Sequence, residues 1–78
     1  MKKARVYVTL KKTVLDPQGQ TVARALNHLG YSSVTGARVG KIIELDLDDA
    51  ATEDEVREMA ARLLANPVIE DFTVEFEE

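Results

Sequence analysis

Arg5-Val6-Tyr7-Val8-Thr9-Leu10-Lys11 leads, after Lys12-Thr13, into Val14-Leu15-Asp16-Pro17-Gln18-Gly19, and this hand-over decides the fold. In the first stretch Val6, Val8 and Leu10 fall on one side while Arg5, Tyr7 and Thr9 fall on the other, the period-two pattern of a half-buried strand. The second stretch opens a helix. Asp16 is suited to accept backbone N–H bonds as an N-cap, and Pro17 is pre-set for the first helical position. A strand passing through a short punctuated turn into a helix makes the first half of an α+β unit.

Working outward, Val22, Ala25, Leu26 and Leu29 form one helical stripe, and Gly30 can supply the left-handed residue that ends it. Residues 34–39 read as a second strand weakened by Gly36. Gly40 then punctuates, and Ile43, Leu45 and Leu47 alternate with Glu44, Asp46 and Asp48 as a third strand. The alternative is a single long strand over 34–48, bent by a bulge at Gly40. Thr52-Glu53-Asp54-Glu55 matches a capping box, and behind it Val56, Met59, Ala60, Leu63 and Leu64 form a stripe that Asn66-Pro67 stops. Phe72, Val74 and Phe76 finish the chain inward, with Thr73, Glu75 and Glu77 outward. The expected architecture is α+β, ferredoxin-like βαββαβ: a four-stranded antiparallel sheet with two helices on one face. Its second face has no helix of its own and carries Tyr7, Ala37, Val39 and Ile42 among charges. Tyr7, Val39 and Ile42 are therefore the candidate oligomer face.

Seventy-eight residues make one domain over 1–78. A chain this short hides only about 60–65% of its unfolded surface and usually needs a staple. Without cysteine, disulfides are excluded, and association with another chain becomes the expected support. No apolar run approaches a membrane span, and Met1-Lys2-Lys3 runs straight into strand residues, so no membrane partner and a cytoplasmic location are expected. The net charge of −4 conceals an asymmetry. Residues 1–41 hold eight Lys/Arg against one acid, giving +7, and residues 42–78 hold two Arg against thirteen acids, giving −11. Such separation favours pairing in which basic and acidic faces meet; the plain alternative is that the charges solvate opposite ends of one sheet.

No catalytic constellation can be assembled. His28 lies off the apolar stripe beside Asn27, and Ser32 and Ser33 sit in a polar connection with no nucleophile elbow. Gly36-Ala37-Arg38-Val39-Gly40-Lys41 is one residue short of a phosphate loop, and Ile42 stands where the metal-binding hydroxyl belongs. The acids from Asp46 onward fail as a calcium loop, with Ala51 and Arg57 at the positions needing glycine and an acid. One tyrosine on the open face and a pI near 4.9 argue against nucleic acid. No catalytic, cofactor-binding or metal-ligating residue is expected in this chain.

Taken together, Leu10-Lys11…Val14-Leu15-Asp16-Pro17-Gln18-Gly19…Ala25-Leu26…Leu29-Gly30-Tyr31…Val34…Arg38…Gly40-Lys41 resembles the PurS family, the small subunit of phosphoribosylformylglycinamidine synthase in de novo purine biosynthesis. The resemblance implies a non-catalytic subunit of an ATP-dependent carbon–nitrogen ligase that takes ammonia from glutamine. Its implied partners are a PurL-type synthetase subunit, which would hold ATP and Mg, a PurQ-type glutaminase subunit, and further copies of itself as a homodimer or homotetramer. Asp16, Pro17, Gly19, Gly30, Arg38, Gly40 and Lys41 carry the likeness. Asp16, Pro17, Gly19, Gly30 and Thr52 have sufficient explanations as caps and turns. The fold does not require Arg38 and Lys41, which are therefore the candidates for partner contact. The rival reading from another class is an ACT-like module that senses a small molecule, with Gly19 in the loop that lines its pocket.

Overall fold

A computed structural model describes residues 1–77. Three strands form one sheet: β1 (Lys2–Leu10), β2 (Gly40–Leu47) and β3 (Glu70–Glu77), in the order β2-β1-β3. β1 is central and antiparallel to both neighbours, with Val6 opposite Ile43 on one side and Val74 on the other. The period-two alternation of the sequence is the alternation in space. Ala4, Val6 and Val8 are fully buried, and Ile43, Leu45, Leu47, Phe72, Val74 and Phe76 pack around them.

Helix α2 (Glu53–Met59) closes this core with Val56, and Thr52 Oγ1 caps it by accepting from the Glu55 N–H at 3.2 Å. The helix then widens into a π-type turn over Ala60–Leu64, in which the Ala65 N–H reaches the Ala60 carbonyl at 2.9 Å. Widening shifts the buried face by one residue: Ala60 and Ala65 are inside, while Leu63, expected in the core, is 84% exposed.

The four-stranded expectation is corrected. Residues 34–39 form no strand, and the paired segment begins only at Gly40. Polar ties explain why. The Asp16 carboxylate accepts the Val39 N–H at 2.8 Å, and the Arg38 guanidinium donates to the carbonyls of Leu10 and Lys11 at 3.0 and 2.9 Å. The segment is thus pinned across the end of β1 instead of lying alongside β2, whose outer edge is left unpaired among the described residues.

The first helix also departs from the expected layer. α1 (Pro17–His28) buries only Gly19, so its stripe of Val22, Leu26 and Leu29 does not lie on the sheet. The molecule measures 49 × 26 × 14 Å with a radius of gyration of 15.8 Å. A compact chain of this length would have about 11–12 Å. α1 is an arm that leaves one end of the sheet, and the core beneath β2 has no helix of its own.

Candidate functional site

The arm is mounted on a joint built from backbone groups, the side chains of Asp16 and Arg38, and the bare Cα of Gly19. Asp16 is the only buried charged residue among those described, with 6% exposure. Its Oδ1 accepts the Gly19 N–H at 2.9 Å, which caps α1, and its Oδ2 accepts the Val39 N–H. One carboxylate therefore fixes the start of the arm and the approach to β2 together. Those two donors, Val39 first, hold its pKa below the ordinary carboxylate value, with a smaller contribution from the Arg38 charge.

Gly19 completes the joint by being small. A Cβ there would lie 2.9 Å from the Ala37 carbonyl carbon and 2.8 Å from Asp16 Oδ2, and would overlap the Ala37 oxygen. The first turn of the arm thus rests directly on the backbone of residue 37, where no side chain fits. At the far end Gly30 has φ +102°, and the bonds Tyr31 N–H to Leu26 O and Gly30 N–H to Asn27 O close a Schellman cap.

Arg38 and Lys41 are both near this joint but differ in surroundings. The Arg38 guanidinium is engaged by the Leu10 and Lys11 carbonyls at the end of β1, which gives it a structural task the sequence did not reveal. Lys41 is exposed and borders a cavity of about 230 Å³ whose lining includes Val8, Leu10, Asp16, Gln18 and Val39. Gly19 is filled by Ala37 and is not among the groups lining this cavity.

The three candidate oligomer residues divide. Tyr7 and Ile42 are register partners on the open face of the sheet, and Ile42 is 59% exposed. Val39 lies outside β2 and lines the cavity. The open face is laced with charge: Arg5 Nη1 donates to Glu75 and Glu77 at 3.0 and 3.1 Å, and Lys11 Nζ to Asp71 at 3.0 Å. Tyr7 OH donates to Glu75 at 3.2 Å; burial first, then that carboxylate, raises its pKa above the ordinary phenol value. His28 is exposed in the last turn of the arm, away from the joint. Among the described residues, no group of three His, Cys, Asp or Glu is arranged to hold a metal. No helix of the structure is long and apolar enough to cross a membrane.

A bare arm, a rigid joint and a half-covered sheet are parts of something assembled, and comparison with known proteins supplies the assembly. The family described as "PurS: Phosphoribosylformylglycinamidine (FGAM) synthase" matches residues 3–78. This chain belongs to the PurS family. It is 48% identical to the PurS subunit of phosphoribosylformylglycinamidine synthase from Bacillus subtilis, over the whole of this chain and 95% of that one. The Mycobacterium leprae PurS subunit is 46% identical over 95% of this chain and 94% of its own length. A crystal structure of Bacillus subtilis PurS superposes with a TM-score of 0.89 at 48% identity, each chain covered completely. A chain in the structure of PurLQS from Thermotoga maritima superposes at 0.80 with 28% identity, covering 97% of this chain and 98% of that one. PurS is a small subunit of FGAM synthase, a ligase that uses ATP and glutamine.

Proposed function

We propose that this chain, as a single PurS-like domain over residues 1–78, is the non-catalytic subunit that joins a PurQ-type glutaminase subunit to a PurL-type synthetase subunit in the cytoplasm. By holding the two in register it keeps ammonia passing from one to the other, while ATP and Mg stay with the synthetase. The observation that carries this reading is the unspent apolar surface of the arm. A 78-residue chain that keeps Val22, Leu26 and Leu29 off its own core is built to complete itself against other polypeptides. The PurLQS complex of the Thermotoga maritima relative supplies the precedent for three kinds of chain.

Two copies pair first. The arm of one protomer lies over the half-covered Ile43, Leu45 and Leu47 of the other, and the two-fold repeats the contact. Burying one fully exposed large aliphatic side chain contributes about 1.5–3 kcal/mol; Leu29 offers most of that, Val22 and the half-buried Leu26 a part of it, and the two-fold doubles the sum before ordering costs. The charged open face with Tyr7 and Ile42 suits a weaker second contact that makes a homotetramer of two such dimers, while Val39 belongs to the cavity beside the joint. Lys41, exposed beside the joint, is the cation proposed for partner contact, with Arg38 holding the loop that presents it.

Sedimentation equilibrium of the isolated chain, followed by size-exclusion of its mixture with purified glutaminase and synthetase subunits, tests the reading. A dimer or tetramer that co-elutes with both subunits is expected, and L26D with L29D is expected to yield monomers. A wild-type chain that stays monomeric and elutes apart from both subunits overturns it.

A further inference from the structure

β2 ends the sheet on one side and β3 on the other, and neither outer edge is paired among the described residues. The two edges are not equally guarded. β3 carries Glu70, Asp71, Glu75 and Glu77, and acids along an edge keep a second such edge away. β2 runs Gly40-Lys41-Ile42-Ile43-Glu44-Leu45-Asp46-Leu47 without a proline. Its register with β1 is continuous from Lys2–Leu47 to Thr9–Gly40, so no bulge turns the edge aside. Its two acids are offset by cations, because Glu44 stands opposite Arg5 and Asp46 opposite Lys3 in that register. A bare row of strand N–H and C=O groups is a template for another strand.

The residues of β2 select which strand. Laying β3 of another copy on it would bring the acids of β3 against Glu44 and Asp46, in a head-to-tail contact that does not close. Two β2 edges related by a two-fold do close. Odd residues of β2 face the core and even ones the open face, so opposed residues share parity and one residue meets its own copy on the axis. An axis at Lys41, Glu44 or Asp46 opposes that charge to itself. An axis at Leu45 opposes Glu44 to Asp46, and one at Ile42 leaves only residues 40–44 paired. An axis at Ile43 pairs residues 40–46, sets Ile42 opposite Glu44 and Gly40 opposite Asp46, and brings no like charges face to face. It also places the Gly40 end of each strand beside the Asp46 end of the other. The joint, tied to Val39, then stands next to Leu45 and Leu47 of the other protomer, where its arm is proposed to lie.

We propose that β2 pairs with β2 of a second copy, antiparallel about a two-fold at Ile43, so that two three-stranded sheets become one continuous sheet. This rests on the homodimer reading and deepens it: the ladder fixes the register, and the arms supply the apolar burial.

The chain has no cysteine, so a single introduced cysteine can cross-link only to the same residue of another copy. Opposed Cα atoms of an antiparallel ladder lie about 4.5–5.5 Å apart, within disulfide reach. Under mild oxidation of the full chain, I43C is expected to form a covalent dimer at least tenfold faster than I42C, E44C or L45C. Ile42 and Glu44 are both exposed, and the double variant I42C with E44C is expected to cross-link where neither single variant does, which covers the case in which I43C unsettles the core. A dimer by sedimentation in which neither I43C nor the double variant cross-links overturns the pairing. So does fastest cross-linking by I42C or L45C. If I43C forms no covalent dimer and is shielded from alkylation only when a synthetase or glutaminase subunit is added, the edge belongs to that subunit and the pairing also falls. A wild-type chain that is monomeric removes the homodimer reading itself and the pairing with it, an outcome distinct from the others.

Discussion

Replacing Gly19 by alanine separates the joint from an ordinary helix start by the sign of its effect. In an unobstructed helix, glycine to alanine stabilises by about 1 kcal/mol, because alanine loses less backbone freedom on folding. Here the new methyl would lie 2.9 Å from the Ala37 carbonyl carbon and would overlap the oxygen. Carbon contacts relax near 3.5–4.0 Å, so the first turn and residue 37 must part by about 1 Å. Overpacking of this kind costs roughly 1–3 kcal/mol, which offsets the propensity gain and leaves a net loss of about 0–2 kcal/mol. The geometric effect is larger. With 1.5 Å rise per residue the arm is about 18 Å long, so 1 Å of displacement about a pivot some 5 Å away swings its tip by roughly 3 Å. In the proposed pairing, Leu26 and Leu29 would then miss the sheet of the other protomer. G19A is expected to lower the urea midpoint at fixed protein concentration and to weaken self-association at least tenfold by sedimentation. A variant that is about 1 kcal/mol more stable and assembles normally would refute the close approach at residue 37.

The remaining expectations bear on the same joint. Gly30 holds φ +102°, a conformation that costs other residues about 1–2 kcal/mol, so G30A is expected to destabilise by that amount in chemical denaturation and G30N by less. Asp16 has a depressed pKa, so the stability its charge supplies is present above the ordinary carboxylate value and is lost as pH falls through the depressed one. The difference in urea midpoint between wild type and D16N should therefore be constant above roughly pH 5 and shrink below roughly pH 4. Removing the Arg38 guanidinium frees the Leu10 and Lys11 carbonyls, so R38A is expected to speed amide exchange at residue 39, whereas K41A leaves it unchanged.

Strand parity, the two helix starts and the need for a partner were legible in residue patterns. Val6, Val8, Phe72, Val74 and Phe76 announce their side of the sheet by alternation, and Asp16 and Thr52 announce caps. The errors share a cause. Residues 34–39 have strand-like composition, but a strand is made by its ladder, and here the Val39 N–H goes to a side chain. A helical stripe likewise says that a face will be buried without saying in which chain, so the stripe of α1 read as intramolecular packing when it is an exposed arm. The role of Arg38 was hidden because its acceptors are backbone carbonyls, which no residue type advertises. Leu63 followed the α-helical period in sequence, and only the π-type turn removes it from the core.

The central claim is that this polypeptide contributes placement and no chemistry, and one reconstitution tests it most directly. Formation of the amidine product is measured with glutaminase and synthetase subunits, with and without this chain, supplying nitrogen either as glutamine or as free ammonium. The account predicts that omitting the chain abolishes the glutamine-dependent rate and spares the ammonium-dependent one. A glutamine-dependent rate that is unchanged when the chain is left out would contradict it.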